Sequence, residues 1–144
     1  MKKYVLVGTG GRAEFFYGAM VRDFKETCQL VAFCDTNQTR LDYANTLLED
    51  KYGVEKINTY TADRFDEMIE QEKPDIVIVT SVDRTHHRYI IRAMELGCDV
   101  ITEKPMTVDA EKTQAIIDAI ERTGQEVRVT FNYRYAPHNT KIRE

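Results

Sequence analysis

The 144-residue chain has no tryptophan, three cysteines, three prolines, three histidines and seven glycines. Each scarcity excludes something. Cys28, Cys34 and Cys98 are odd in number, widely spaced and outside any Cys-x-x-Cys pair, so neither a disulfide framework nor a zinc site is expected. No apolar run approaches the ~18 residues that a membrane-spanning helix requires. The Tyr4–Val7 run behind Lys2 and Lys3 is broken by Gly8, Gly10, Gly11 and Arg12, unlike a secretory leader. An excess of basic charge is also lacking. Twenty Lys and Arg face 24 Asp and Glu for a net charge of −4, so no nucleic-acid partner is expected. What remains is 42% hydrophobic and 31% charged, the composition of a globular core. The length suits one domain, and the unpaired cysteines suit a reduced, cytoplasmic setting.

The few glycines are informative by position. Three fall within Gly8-Thr9-Gly10-Gly11, while Gly53, Gly97 and Gly124 each close a helix-like stretch ahead of a strand-like one. Strands are predicted at Lys3–Gly8, Leu30–Asp35, Asn58–Tyr60, Asp75–Thr80, Asp99–Glu103 and Val127–Asn132. The fourth, Asp-Ile-Val-Ile-Val-Thr, is apolar without alternation, as in a strand covered on both faces. Helical spacing joins Ala13, Phe16, Tyr17, Met20, Val21 and Phe24, then Leu41, Ala44, Leu47 and Leu48. A third helix carries Phe65, Met68 and Ile69 with Asp63 as its N-cap, and a fourth covers Thr85–Leu96. A fifth turns Ile116, Ile117 and Ile120 inward with Thr107 as its cap. Strands alternating with helices predict an α/β fold: a doubly wound parallel sheet with right-handed crossovers and helices on both faces.

The first strand-to-helix turn reads Gly8-Thr9-Gly10-Gly11-Arg12-Ala13, a GxGxxA pattern in the strand–turn–helix setting that dinucleotide binding needs. Gly8 permits the tight turn, Gly10 lets a pyrophosphate approach the backbone, and Ala13 lets the helix pack closely on the strand. Gly8, Thr9, Gly10, Gly11 and Arg12 are therefore expected around the phosphates of a dinucleotide. Asp35 ends the second strand, where a carboxylate accepts from adenosine ribose hydroxyls and repels a 2′-phosphate. That favours NAD. Arg12 and Arg40, together able to receive such a phosphate, keep NADP open.

The ends of strands four and five face the same crevice. Ser81 and Thr85 offer hydroxyls, and His86 is either a structural hydrogen-bonding residue or a contact near the cofactor. His86 and His87 point apart on a helix and lack a third ligand, so no metal is expected. After strand five comes Glu103-Lys104-Pro105. A lysine there is placed to hydrogen-bond a substrate hydroxyl or carbonyl, although a solvated loop lysine fits the same spacing.

Gly8–Ala13, Asp35, Thr80–His86, Glu103-Lys104-Pro105 and Asn132-Tyr133-Arg134-Tyr135-Ala136-Pro137 occur in an order that resembles one family. It is the glucose-fructose oxidoreductase/inositol dehydrogenase/rhizopine-catabolism (Gfo/Idh/MocA) family. Ser81-Val82-Asp83 departs from the family's usual Thr-Pro-Asn. The resemblance implies a Rossmann domain and hydride transfer between NAD(P) and a sugar- or polyol-type hydroxyl or carbonyl. It implies Lys104 as the catalytic lysine, touching substrate and nicotinamide ribose, with Glu103 against the cofactor and Arg134 beside the entrance to a second domain; Ser81, His86 and Arg134 are counted with the expected cofactor-binding residues. It further implies a second α+β domain that binds substrate, supplies an Asp/His pair and mediates oligomerisation. Residues 1–135 are then the dinucleotide-binding domain and 136–144 the start of a connection, with the second domain absent from this chain. On that expectation the chain binds dinucleotide but is inactive alone. A non-catalytic NAD(P)-binding sensor and the cofactor domain of an NAD-dependent glycosidase are the alternatives. Tyr133 and Tyr135, on the extension of the last strand, serve either edge packing or ligand contact.

Overall fold

Val5-Leu6-Val7 and Ile76-Val77-Ile78-Val79 are short apolar runs rich in β-branched residues, and they lie side by side at the centre of one sheet. The computed structural model describes residues 1–134 and 136–143, with only the backbone for Arg143. Its strands are β1 (Lys2–Val7), β2 (Cys28–Asp35), β3 (Asn58–Thr61), β4 (Ile76–Val79), β5 (Asp99–Glu103) and β6 (Val127–Thr130). All pairs are parallel, in the order β3-β2-β1-β4-β5-β6. The helices are α1 (Ala13–Arg22), α2 (Gln38–Tyr52), α3 (Phe65–Glu72), α4 (His86–Glu95), α5 (Ala110–Thr123) and α6 (Pro137–Arg143). The expected doubly wound Rossmann sheet is therefore present. Its order reverses between β1 and β4, which opens a crevice beyond their carboxyl ends. Among the described residues no helix is long and apolar enough to cross a membrane.

Side-chain alternation divides the central strands between two cores. Leu6 and Ile78 face α1 and α2, where they join Ala13, Tyr17, Phe33, Leu41 and Leu48. Val5, Val7, Val77 and Val79 face the other way, onto Met68, Ile90, Met94, Val100 and Ile116. Each large side chain removed from water in these layers contributes about 1.5–3 kcal/mol. Gly53 and Gly124 close α2 and α5 in the left-handed region, as their positions predict.

Several local expectations need correction. Phe24 is exposed, because α1 ends at Arg22 and the Phe24 amide turns back to the Ala19 carbonyl. Ile117 is exposed as well. The inward face of α5 is Ile116, Ala119 and Ile120, and Ile117 lies about 100° round the helix from Ile116. Thr107 does not cap α5; Asp109 does, its carboxylate accepting from the Lys112 amide at 2.8 Å. Asp63 falls inside a 3₁₀ turn, Ala62–Arg64, so α3 begins only at Phe65 without a side-chain cap. The last strand stops at Thr130, which leaves Tyr133 exposed in the following turn; Tyr135 lies outside the described residues.

Gly8 has φ +90°, and a Cβ built on it would stand 2.5 Å from the Ser81 backbone. Gly8→Ala is predicted to cost about 2–4 kcal/mol, from the unfavourable φ and the clash with main chain. Thermal unfolding of the variant should show a midpoint lower by about 5–15 °C; an unchanged midpoint would contradict the packing of this turn. Burial also silences two thiols. Desolvation, aided by Asp35, pushes Cys34 up to about 12, and desolvation, aided by Asp75, pushes Cys98 up to about 11. A disulfide reagent at pH 8 should therefore label the half-buried Cys28 first and reach Cys34 and Cys98 only after unfolding. Three equal rates would contradict this.

Candidate functional site

Two adjoining clefts lie over the carboxyl ends of the central strands. The first, of about 360 Å³, is lined by Gly8, Gly10, Gly11, Asp35, Thr36 and Arg40 among others. The second, of about 520 Å³, is lined by Ser81, His86, Glu103, Lys104, Pro105 and Asn132. Arg12, Thr80, Ser81 and Val82 line both, so the clefts meet at the Gly-rich turn and the start of α4.

The turn is held from both neighbouring strands. The Gly8 amide donates to the Cys34 carbonyl at 2.8 Å, and the Thr80 hydroxyl donates to the Gly8 carbonyl at 2.7 Å. Asp35, only 5% exposed, completes the fastening. Its Oδ2 accepts from the Thr9 amide at 2.7 Å and the Thr9 hydroxyl at 3.1 Å. Its Oδ1 accepts from the Asn37 amide at 2.9 Å, at the N-cap of α2. Thr9 thus turns its side chain onto Asp35 and is not among the cleft-lining residues. Gly10 and Gly11 differ from Gly8: a Cβ on either would meet nothing within 4 Å. The space above them is open, and no side chain caps α1 behind them. The Ala13 amide donates to the Gly10 carbonyl at 3.0 Å, and the first-turn amides after it face an anion without a side-chain cap. These features fit a pyrophosphate.

Across the seam, His86 is buried, with Nδ1 2.9 Å from the Pro105 carbonyl and Nε2 2.9 Å from the Ser81 carbonyl. Its ring therefore links the loop after β4 to the loop after β5. Both ring nitrogens thus lie at hydrogen-bond distance from main-chain carbonyls, and the residue also lines the second cleft. The Ser81 and Thr85 hydroxyls pair at 2.9 Å. Lys104 is exposed at the second cleft, and its peptide bond to Pro105 is cis. His87 is half-buried; burial, then Lys112 and Arg88, lowers its pKa.

Glu103 is 6% exposed and accepts at Oε1 from Arg12 Nη2 at 3.1 Å and from the Thr130 hydroxyl at 2.9 Å. The Arg12 guanidinium also lies 4.3 Å over the Phe15 ring. It is thus engaged by Glu103 and Phe15, although Arg12 and Arg40 both line the first cleft. Arg40 stays at the rim of the first cleft beside Asp35. Arg134 does not line either cleft; it lines an adjoining groove that shares Arg12 and Asn132 with the second cleft. Thr80 and Thr130 were not singled out by sequence. Register alone would have pointed to Thr130, which pairs directly with Glu103 across β5 and β6. Among the described residues no group of three or more His, Cys, Asp or Glu forms that could hold a metal.

Known proteins carry the same architecture. Residues 2–131 match the Gfo/Idh/MocA model, described as an oxidoreductase family with an NAD-binding Rossmann fold. The chain is 33% identical to YteT of Bacillus subtilis strain 168 over 145 residues, covering 100% of this chain and 33% of that protein. It is 34% identical to the D-glucoside 3-dehydrogenase of Escherichia coli K12 over 116 residues, 81% of this chain and 31% of the enzyme. The WlbA dehydrogenase of Chromobacterium violaceum, solved in complex with NADH and UDP-GlcNAcA, superposes with a TM-score of 0.80 at 26% identity. That match covers 99% of this chain and 39% of the other. The chain thus spans about a third of the length of these curated relatives. With its sheet order, its Gly-rich turn and a family match over residues 2–131, the chain belongs to the Gfo/Idh/MocA oxidoreductase family, as an NAD-binding Rossmann domain.

Proposed function

We propose that this chain holds NAD across the two clefts and presents Lys104 to a sugar- or polyol-type substrate during hydride transfer. The observation that carries this reading is the junction of the clefts. The turn suited to a pyrophosphate and the exposed Lys104 border one continuous crevice, joined at Arg12 and Ser81. In this reading Asp35 receives the adenosine ribose. A carboxylate with two oxygens retains acceptor capacity beyond its bonds to Thr9 and Asn37. The Gly10 and Gly11 backbone and the N-terminus of α1 receive the phosphates. Ser81, Glu103 and Lys104 border the nicotinamide end.

When bound, the nicotinamide ring accepts or returns the hydride of the substrate carbon. The chain's own part is positioning and charge. The Lys104 ammonium would hydrogen-bond a substrate carbonyl oxygen and give it a proton as the hydride arrives at the carbon; in the reverse direction the Lys104 amine would take the hydroxyl proton as the hydride leaves. His86 fixes the two loops that flank this lysine and stays out of the chemistry. The sugar or polyol class is supported by the glucoside and sugar-nucleotide dehydrogenases among the relatives. Residues 1–135 are proposed as the cofactor domain and 136–144, including α6, as the start of a connection onward. The free thiols at Cys28, Cys34 and Cys98 support a reducing, cytoplasmic compartment.

Calorimetric titration with NAD tests the reading. Saturable binding of one dinucleotide per chain is expected, and no heat at millimolar NAD or NADP would refute it. Gly10→Ala should weaken NAD at least about tenfold by filling the space above the turn, while stability stays within about 0.5 kcal/mol because that space is open. Undiminished affinity in this variant would place the phosphates elsewhere.

A further inference from the structure

Arg12 follows the last glycine of the turn, yet its guanidinium reaches Glu103, 91 positions away in sequence. Glu103 is a carboxylate with a side chain only 8% exposed, and it borders the crevice proposed to receive a dinucleotide. A pyrophosphate brings two further negative charges to the same crevice. An unpaired buried carboxylate there would oppose them through a medium that screens poorly. Arg12 is the cation at ion-pair distance from Glu103. The Phe15 ring under its guanidinium holds it in place, and the buried Arg12 Nε has no hydrogen-bond partner among the described residues. The guanidinium is therefore held toward Glu103.

We propose that Arg12 is the counter-ion of Glu103, a positioning residue whose role is to cancel the Glu103 charge so that the crevice admits an anionic dinucleotide. This rests on the dinucleotide reading above and adds a claim that reading does not contain. The glutamate, and no direct bond from Arg12 to phosphate, is what makes the arginine necessary. Thr130 remains the second anchor of the carboxylate, through its hydroxyl. Lys104 and Asp83 line the second cleft with the pair, Arg134 shares a groove with Arg12, and Asp35, Arg40 and Arg84 line the first cleft with Arg12. The two acids are unchanged in every variant of the test, so the comparison isolates the Glu103 charge.

The test is NADH binding, followed by nicotinamide fluorescence, in the wild-type chain, Arg12→Gln, Glu103→Gln and the double variant, each checked by thermal melting. Arg12→Gln is expected to weaken NADH about tenfold or more. Glu103→Gln, whose amide oxygen still accepts from Thr130, is expected to tighten it about threefold. The double variant should return to within about threefold of wild type, a suppression that loss of a merely structural contact would not produce. If the wild type does not bind NADH, the dinucleotide reading itself fails. If it binds and the double variant is as weak as Arg12→Gln, Arg12 contacts the ligand directly and the counter-ion proposal is overturned. Weaker binding by Glu103→Gln overturns it as well. Should Arg12→Gln melt early, Arg12→Lys in its place must retain most of the affinity; a loss equal to that of Arg12→Gln would again count against a charge role.

Discussion

The close approach of Gly8 to Ser81 is the constraint on which the site depends. β1 and β4 are neighbours because the chain reverses its winding direction between them. The turns that leave these strands must therefore pass each other at main-chain distance, and a Cβ on Gly8 would stand 2.5 Å from Ser81. Only a residue without a side chain, at φ +90°, satisfies both demands. The first turn and the β4–α4 loop then form the two walls of one crevice, with the N-terminus of α1 at its floor. A bulkier first glycine would move a wall rather than merely a loop.

Buried polar groups fix those walls, and each is almost fully engaged by the protein itself. Asp35 takes four hydrogen bonds, two of them from Thr9, so the acid proposed to receive the adenosine ribose also shapes the Gly-rich turn. Its replacement to change cofactor preference would therefore disturb the turn as well as the charge. His86 performs a similar service between the loops that carry Ser81 and Pro105. Glu103 ties β5 to β6 through Thr130 and to the first turn through Arg12. Lys104, by contrast, is exposed beside these anchored neighbours, which fits its proposed reach toward a substrate.

Much of this was legible in the sequence where the signal is local. Asp99–Glu103 appears as predicted, and Ile76–Val79 lies within its predicted run, because a β-branched strand covered on both faces has few alternatives. Helix starts were less legible. Thr107 and Asp109 both have capping chemistry within three residues, and only the backbone geometry selects Asp109. Ile117 was misplaced because a single residue rotates a helix by about 100°, which a cluster of isoleucines conceals. The pairing of Arg12 with Glu103 and of Glu103 with Thr130 was beyond reach, since no local pattern encodes contacts across 91 and 27 positions. The contact of His86 with the Pro105 carbonyl was likewise beyond reach, since only the fold brings the loops after β4 and β5 together.

The central claim is one crevice with a phosphate turn at its middle and Lys104 at one end. It is tested most directly by a crystal structure of the chain with NADH bound. The account predicts the pyrophosphate on the Gly10 and Gly11 backbone, the adenosine ribose against Asp35, and the nicotinamide beside Lys104 with the Arg12–Glu103 pair intact. Ligand density in the Arg134 groove, or a nicotinamide turned away from Lys104, would contradict it.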